Sequence, residues 1–62
     1  MRKSITLRTA ERLIRAAYEY EHLAARLRSE RHEREGNGIA AIASQLGNIG
    51  RALADKLKGE GE

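Results

Sequence analysis

A glutamate and a histidine in the first half of the chain have a spacing that could bind a metal ion. Glu19 and His22 form a Glu-x-x-His pair, the spacing with which di-metal carboxylate bundles present two ligands on one helix face. Such sites also need carboxylates from facing helices, and residues 39–58 offer only Asp55. We therefore expect no metal ion and no other cofactor.

Residues for covalent or acid–base catalysis are equally sparse. The chain has no cysteine and no phosphate-binding loop of the required form. Its serines, Ser4, Ser29 and Ser44, have no histidine and acid nearby in the pattern of a catalytic triad. His22 and His32 are expected to point to solvent. The prediction is that the protein is not an enzyme and has no catalytic residues.

Basic residues are concentrated at the N-terminus. Residues 1–8 contain Arg2, Lys3 and Arg8 and no acid, whereas residues 9–35 contain six arginines and six glutamates. A basic segment on an otherwise balanced chain indicates contact with a polyanion such as nucleic acid. The alternative is that the segment only aids solubility.

The length of the chain limits how it can be stabilised. A chain of 62 residues forms one small domain, and a lone monomer of this size is marginally stable. Disulfides are excluded because there is no cysteine, so we expect a homodimer or a higher homo-oligomer. No apolar run is long enough to span a membrane and no signal-peptide core follows Lys3. We therefore expect a cytoplasmic protein with no membrane partner.

Periodicity divides the chain into a strand, two helices and a tail. Residues 4–8 alternate polar and apolar side chains, which predicts a short strand or basic arm over residues 1–8. Thr9 is the predicted N-cap of a helix over residues 9–35, with Glu11 in its first turn. Gly36-Asn37-Gly38 is the predicted break, and a second helix follows over residues 39–58. Residues 59–62 are predicted to be a disordered tail.

Apolar residues in both helices recur in steps of three and four, which is typical of helices packed side by side. The fold class is therefore mainly α: an N-terminal strand or arm followed by an antiparallel helical hairpin (residues 9–58) that dimerises into a four-helix-bundle-like core. The predicted oligomer core consists of the apolar residues Leu13, Ala17, Tyr20, Leu27, Ile42, Leu46, Ile49 and Leu53.

Small residues form a second stripe beside this seam in the second helix. The stripe consists of Ala40, Ala43, Gly47, Gly50 and Ala54. A glycine inside a helix costs about 1 kcal/mol relative to alanine, so two on one stripe need a reason. Close approach of another helix is the predicted reason, and a kink is the alternative.

The N-terminal residues resemble a known family. Ser4-Ile5-Thr6-Leu7-Arg8 followed by a capped helix resembles the opening of ribbon-helix-helix proteins. The resemblance implies paired strands that enter the major groove of DNA, with Ile5 and Leu7 toward the core. The nucleic-acid-binding residues predicted on this basis and from charge are Arg2, Lys3, Ser4, Thr6, Arg8 and Arg12.

A second, weaker resemblance lies downstream. Residues 36–47, Gly-Asn-Gly-Ile-Ala-Ala-Ile-Ala-Ser-Gln-Leu-Gly, are similar to a stretch of MobC-type plasmid mobilisation accessory proteins, although Ala40 and Ala41 replace two characteristic polar positions. This resemblance implies a plasmid-encoded accessory of a relaxase at a transfer origin.

Two functional hypotheses follow. The first is a small dimeric DNA-binding protein, a transcriptional repressor or a mobilisation accessory, that contacts DNA through its N-terminal basic strand. The alternative is a dimeric helical-hairpin module that binds RNA or a protein partner through the surface of its bundle. DNA is preferred over RNA on the resemblance of the N-terminal strand, and the two tyrosines are too few for a base-stacking platform that binds single strands.

Overall fold

Two long helices make up the fold. A computed structural model describes residues 5–59, in which α1 spans Leu7–Ser29 and α2 spans Glu33–Gly59. The turn of three residues between them makes the helices antiparallel, and the predicted helical hairpin is confirmed. The predicted four-helix core of an oligomer stays a prediction.

The N-cap of the first helix lies three residues before the predicted one, Thr9. Thr6 is the N-cap, with an extended backbone (φ −132°, ψ 176°), and its N–H donates a 3.3 Å hydrogen bond to Oγ1 of Thr9. Thr9 therefore lies in the first turn, and Glu11 lies beyond it. This early start brings Leu7 into the helix, and it places Ala10, which is fully buried, against α2.

The prediction of an N-terminal strand is wrong over the described residues. Residues 5–59 contain no strand: Ile5 and Thr6 precede α1, and Leu7 and Arg8 belong to it. An isolated strand has no partner for its backbone hydrogen bonds. With Thr6 as the N-cap, Leu7 and Arg8 instead form the start of α1. The predicted binding residues Arg2, Lys3 and Ser4 lie outside the described residues, as do positions 60–62 of the predicted tail.

The turn also differs from its predicted position. Glu30 is the C-cap of α1, and the next residue, Arg31, has a left-handed backbone conformation with a φ of 70°. The His32 N–H donates to the Leu27 carbonyl at 2.8 Å and the Arg31 N–H to the Arg28 carbonyl at 3.1 Å, the two hydrogen bonds of a Schellman C-cap. The predicted helix bounds, residues 9–35 and 39–58, are therefore wrong, because Arg31 takes the conformation expected of glycine.

Gly36, part of the predicted break, is instead a buried contact inside α2. A Cβ atom on Gly36 would lie 2.9 Å from the Ala24 carbonyl oxygen and 2.9 Å from Cγ of Arg28. Next to it, Oδ1 of Asn37 accepts a 3.0 Å hydrogen bond from Nε of Arg28. The glycine is thus required by close packing of the two helices.

The contact between the helices is built from small residues. Ala10, Ala17 and Ala24 recur every seven residues in α1, and Gly36, Ala43 and Gly50 recur every seven in α2, with Gly47 between them; all seven are buried. A Cβ on Gly50 would lie 2.8 Å from Cγ1 of Ile14, and one on Gly47 would lie 3.6 Å from Cβ of Ala17. The prediction that glycine permits close approach of another helix is confirmed at Gly50, whereas a Cβ on Gly47 would make only ordinary van der Waals contacts.

Candidate functional site

Most of the larger apolar side chains lie beside the small-residue contact, whereas Ile14 packs into it at Gly50. Leu13, Tyr20 and Leu27 each follow a buried alanine of α1 by three residues, and Ile39, Leu46 and Leu53 each follow a buried small residue of α2 by three. Because the helices face each other and run in opposite directions, positions three residues past the contact fall on the same side of the hairpin in both helices.

We call this side the apolar face. Its further residues lie three positions beyond the first set, at Ala16, Leu23, Ile42 and Ile49. Four of its large side chains are classed as exposed, with 39% of Tyr20, 43% of Leu23, 46% of Ile42 and 56% of Ile49 accessible to solvent. The half-buried members are Leu13, Ala16, Leu27, Ile39, Leu46 and Leu53.

The residues predicted to form an oligomer core therefore divide into two groups. Ala17 is buried against α2 within the chain. The other seven, which are Leu13, Tyr20, Leu27, Ile42, Leu46, Ile49 and Leu53, all lie on the apolar face. Their side chains are available to a second molecule, because α1 and α2 contact each other through smaller residues.

The opposite side of the hairpin has a shallow cleft of about 210 Å³. Its lining is mixed: the polar residues are Tyr18, Glu21, Ser44 and Arg51, and the others are Ile14, Ala17, Ala43 and Gly47. The Arg51 guanidinium donates a 2.9 Å hydrogen bond to Oδ1 of Asn48 and lies over Gly47. Because charged residues contribute to this lining, we call it the polar side, in contrast to the apolar face.

Basic residues from both helices meet at the end of the hairpin that carries the chain termini. We call this end, residues 7–15 and 51–59, the open end. Its exposed basic residues are Arg8, Arg12, Arg15, Arg51, Lys56 and Lys58. The open end also contains Glu11 and Asp55, so six basic and two acidic residues give it a net charge of +4. Residues 16–50, with four arginines and five glutamates, carry −1.

Two of the predicted nucleic-acid-binding side chains, Arg8 and Arg12, belong to the open end, and the predicted contact Thr6 caps the adjoining helix. Sequence reasoning missed Arg51, Lys56 and Lys58, which the hairpin places beside them. Their position depends on the turn at Arg31, which lies six residues before the predicted centre at Asn37. Small residues recur every seven positions in both helices. Aligning the two repeats could have predicted which residues of α1 lie beside which residues of α2.

Glu19 and His22, the two residues of the Glu-x-x-His pair, contact other side chains of α1. Glu19 lies 3.9 Å from Nε of Arg15 in an exposed ion pair, and the His22 ring packs edge-on against Tyr18 with ring centres 4.5 Å apart. Within residues 5–59 no group of three or more His, Asp or Glu residues could hold a metal ion. Neither α1 nor α2 is apolar over a length that could cross a bilayer.

Comparison of the chain with family models, with curated proteins and with solved structures finds no match. The resemblances to ribbon-helix-helix and MobC-type proteins therefore stay predictions.

Proposed function

We propose that the protein is a small homodimeric DNA-binding protein whose open end contacts the phosphate backbone of a duplex. The observation that carries this proposal is the convergence of exposed basic residues from the start of α1 and the end of α2. Arg2 and Lys3, which precede this end in the sequence, add two further positive charges. A transcriptional repressor or a plasmid mobilisation accessory would use such a contact.

Charge of this kind favours a nucleic-acid partner for a physical reason. Lysine and arginine side chains that neutralise phosphates release condensed counterions, and this release supplies most of non-specific DNA affinity. The open end concentrates a charge of +4 on a hairpin whose remaining described residues carry −1. Among the described residues, the open end is therefore the part best suited to phosphate contact.

Duplex DNA suits these residues better than single-stranded RNA does. Single-strand binders stack bases on several aromatic side chains, and this chain has only Tyr18 and Tyr20. Tyr18 packs against His22 on the polar side, and Tyr20 belongs to the apolar face. Neither tyrosine lies at the open end. Phosphate contacts by arginine and lysine need no aromatic platform.

The apolar face supports a homodimer. Among residues 5–59 the buried hydrophobic side chains are four alanines, Ala10, Ala17, Ala24 and Ala43, and no large side chain is fully buried. Leucine or isoleucine gains roughly 1.5–3 kcal/mol on full burial, far more than alanine can supply. A second copy that covers the apolar face would give the protein the core that one hairpin lacks.

Two matched double variants test the DNA proposal. Arg8→Gln/Lys58→Gln removes two charges from the open end, away from the apolar face, and Arg26→Gln/Arg34→Gln removes two from residues 16–50. Fluorescence anisotropy with a duplex of about two turns should show affinity falling roughly tenfold or more for the first pair and little for the second.

Equal losses in the two pairs would mean that binding depends on total charge and would overturn the proposed site. If neither pair changes the affinity, the open end is not the contact. If a duplex does not bind while an RNA or a protein partner does, the DNA function itself is wrong.

A further inference from the structure

We infer that the apolar face binds a second copy of the chain turned end for end, so that α1 lies against α1 of the second copy and α2 against its α2. This inference rests on the homodimer of the proposed function, and it adds which helices meet and where the two open ends lie.

The apolar residues of α2 are arranged symmetrically about Leu46. Ile39 and Leu53 each lie seven residues from it, and Ile42 and Ile49 lie four and three residues from it. When two such helices run antiparallel with their Leu46 residues opposite each other, Ile39 meets Leu53 of the second copy and Ile42 meets Ile49 of the second copy. Each large side chain then contacts another, as the core of an antiparallel helix pair requires.

Four apolar residues of α1 have the same kind of symmetry, about Tyr18, whereas Leu27 would lie opposite Thr9 of the second copy. Leu13 and Leu23 lie five residues on either side of it, and Ala16 and Tyr20 lie two on either side. Antiparallel pairing of α1 with its copy places the large Tyr20 side chain opposite the small Ala16. A large residue facing a small one lets two helix surfaces interdigitate without a void.

Both centres of symmetry lie at the same level of the hairpin. Ala17 contacts Gly47 between the helices, so Tyr18 of α1 and Leu46 of α2 are at nearly the same height. One two-fold axis that crosses the hairpin at this height therefore relates both pairs of helices. A single axis is what an isologous dimer requires.

The side of the hairpin that carries the apolar face is large enough for a stable dimer. Helix α2 has 27 residues and is therefore roughly 40 Å long at 1.5 Å per residue. The hairpin measures 17 Å in its second dimension. The projected area of this whole side is on the order of 700 Å², close to the roughly 800 Å² that each partner buries in a standard stable interface. The apolar face, from Ile39 to Leu53 in α2, covers about half of it, and charged residues at the two ends make up the rest.

Charge favours the end-for-end arrangement over one in which both open ends lie together. Two open ends side by side would bring charges of +4 and +4 within a short distance, which costs energy through mutual repulsion. The end-for-end arrangement places each open end beside the turn of the other copy. It also brings Lys56 near Glu35 of the second copy, because these positions lie almost equally far from Leu46.

The arrangement has a consequence for DNA recognition. It places the two open ends at opposite ends of an assembly roughly 40 Å long. Lys58 lies 12 residues from Leu46, so the two Lys58 residues would be roughly 36 Å apart along the bundle, close to one turn of B-DNA, about 34–36 Å, the usual spacing of half-sites bound by dimers. The dimer would contact a duplex at two points on one side of the DNA.

Cysteine cross-linking without DNA tests the inference, since the chain has no cysteine of its own. In the end-for-end dimer, two Leu46→Cys residues lie opposite each other and should link on mild oxidation or with a short thiol cross-linker. The matched control is Leu53→Cys, half-buried on the same face. Its two copies would be about 14 residues, or roughly 21 Å, apart along the bundle and should not link.

Linked dimers from Leu46→Cys but not from Leu53→Cys support the inference. Equal linking of both variants, or of neither while light scattering gives a dimeric mass, overturns the end-for-end arrangement. A monomeric mass for the unmodified protein at about 50 µM overturns the second copy as the occupant. A dimer linked at Leu46→Cys that does not bind DNA would refute the proposed DNA contact and leave this inference standing.

Discussion

Gly50 leaves room for Ile14: a Cβ atom added to Gly50 would lie 2.8 Å from Cγ1 of Ile14 and 3.2 Å from the carbonyl oxygen of Ala10. Real Cβ atoms essentially never approach another atom to 2.8 Å and seldom to 3.2 Å, and the Ala10 oxygen belongs to the backbone of α1. The two helices can therefore approach each other this closely near the open end because residue 50 has no Cβ methyl group.

The first prediction concerns that methyl group. Gly50→Ala should lower the melting temperature, because the separation of the helices that it requires outweighs the gain of about 1 kcal/mol in helix propensity. Gly38→Ala is the matched control, since a Cβ at Gly38 meets nothing within 4 Å. Circular dichroism melts should show opposite shifts, and an equal rise in both variants would refute the close contact.

The second prediction concerns the turn. Arg31 is the only non-glycine residue with a positive φ among the described residues, at 70°. Arg31→Gly should raise stability by up to about 1 kcal/mol, because glycine reaches this backbone conformation without a steric cost. Chemical unfolding of the two proteins measures the difference. A loss of stability would mean that α1 does not end in this C-cap.

The third prediction separates the two broad sides of the hairpin. Ile49, 56% exposed, lies on the apolar face, whereas Tyr18, 62% exposed, lies on the polar side. Ile49→Gln should weaken dimerisation roughly a hundredfold, since about 1.5 kcal/mol of burial is lost in each of two copies. Tyr18→Gln should leave it unchanged. Sedimentation equilibrium over a concentration series measures both, and equal effects would argue against a specific apolar interface.

The fourth prediction concerns the helix start. The Thr6 N–H is bonded to Oγ1 of Thr9, within a first turn that contains no acid. Thr6→Asp should stabilise α1 by a few tenths to about 1 kcal/mol, because an aspartate cap also interacts favourably with the helix dipole. A thermal melt at low ionic strength measures this change. Destabilisation would indicate that the helix does not begin at Leu7.

The sequence allowed the helical hairpin and the role of the small residues to be predicted, because the spacing of alanine and glycine directly reflects which face is in contact. The turn could not be located from residue types. Gly36 is the residue expected to end a helix, yet it is held inside α2 by contact with Ala24, while Arg31 takes the left-handed position. Tertiary packing overrode local preference at both positions.

Only part of the candidate site could be predicted, again because tertiary packing decides which residues lie together. Arg8 and Arg12 were predicted from charge and from the ribbon-helix-helix resemblance, whereas Lys56 and Lys58 join them only because the turn sets which residues of α2 lie beside the start of α1. The strand over residues 4–8 was inferred from alternation across five residues. Such a short pattern is compatible with the first turn of a helix once Thr6 provides a cap.

The central claim is that the protein binds duplex DNA through several phosphate contacts, and the salt dependence of its affinity tests this claim most directly. Fluorescence anisotropy with a mixed-sequence duplex at about 50 and 200 mM salt should show binding that weakens at least tenfold, as expected when several counterions are released. Absence of binding at about 50 mM salt and tens of micromolar protein, or an affinity that does not change with salt, would contradict it.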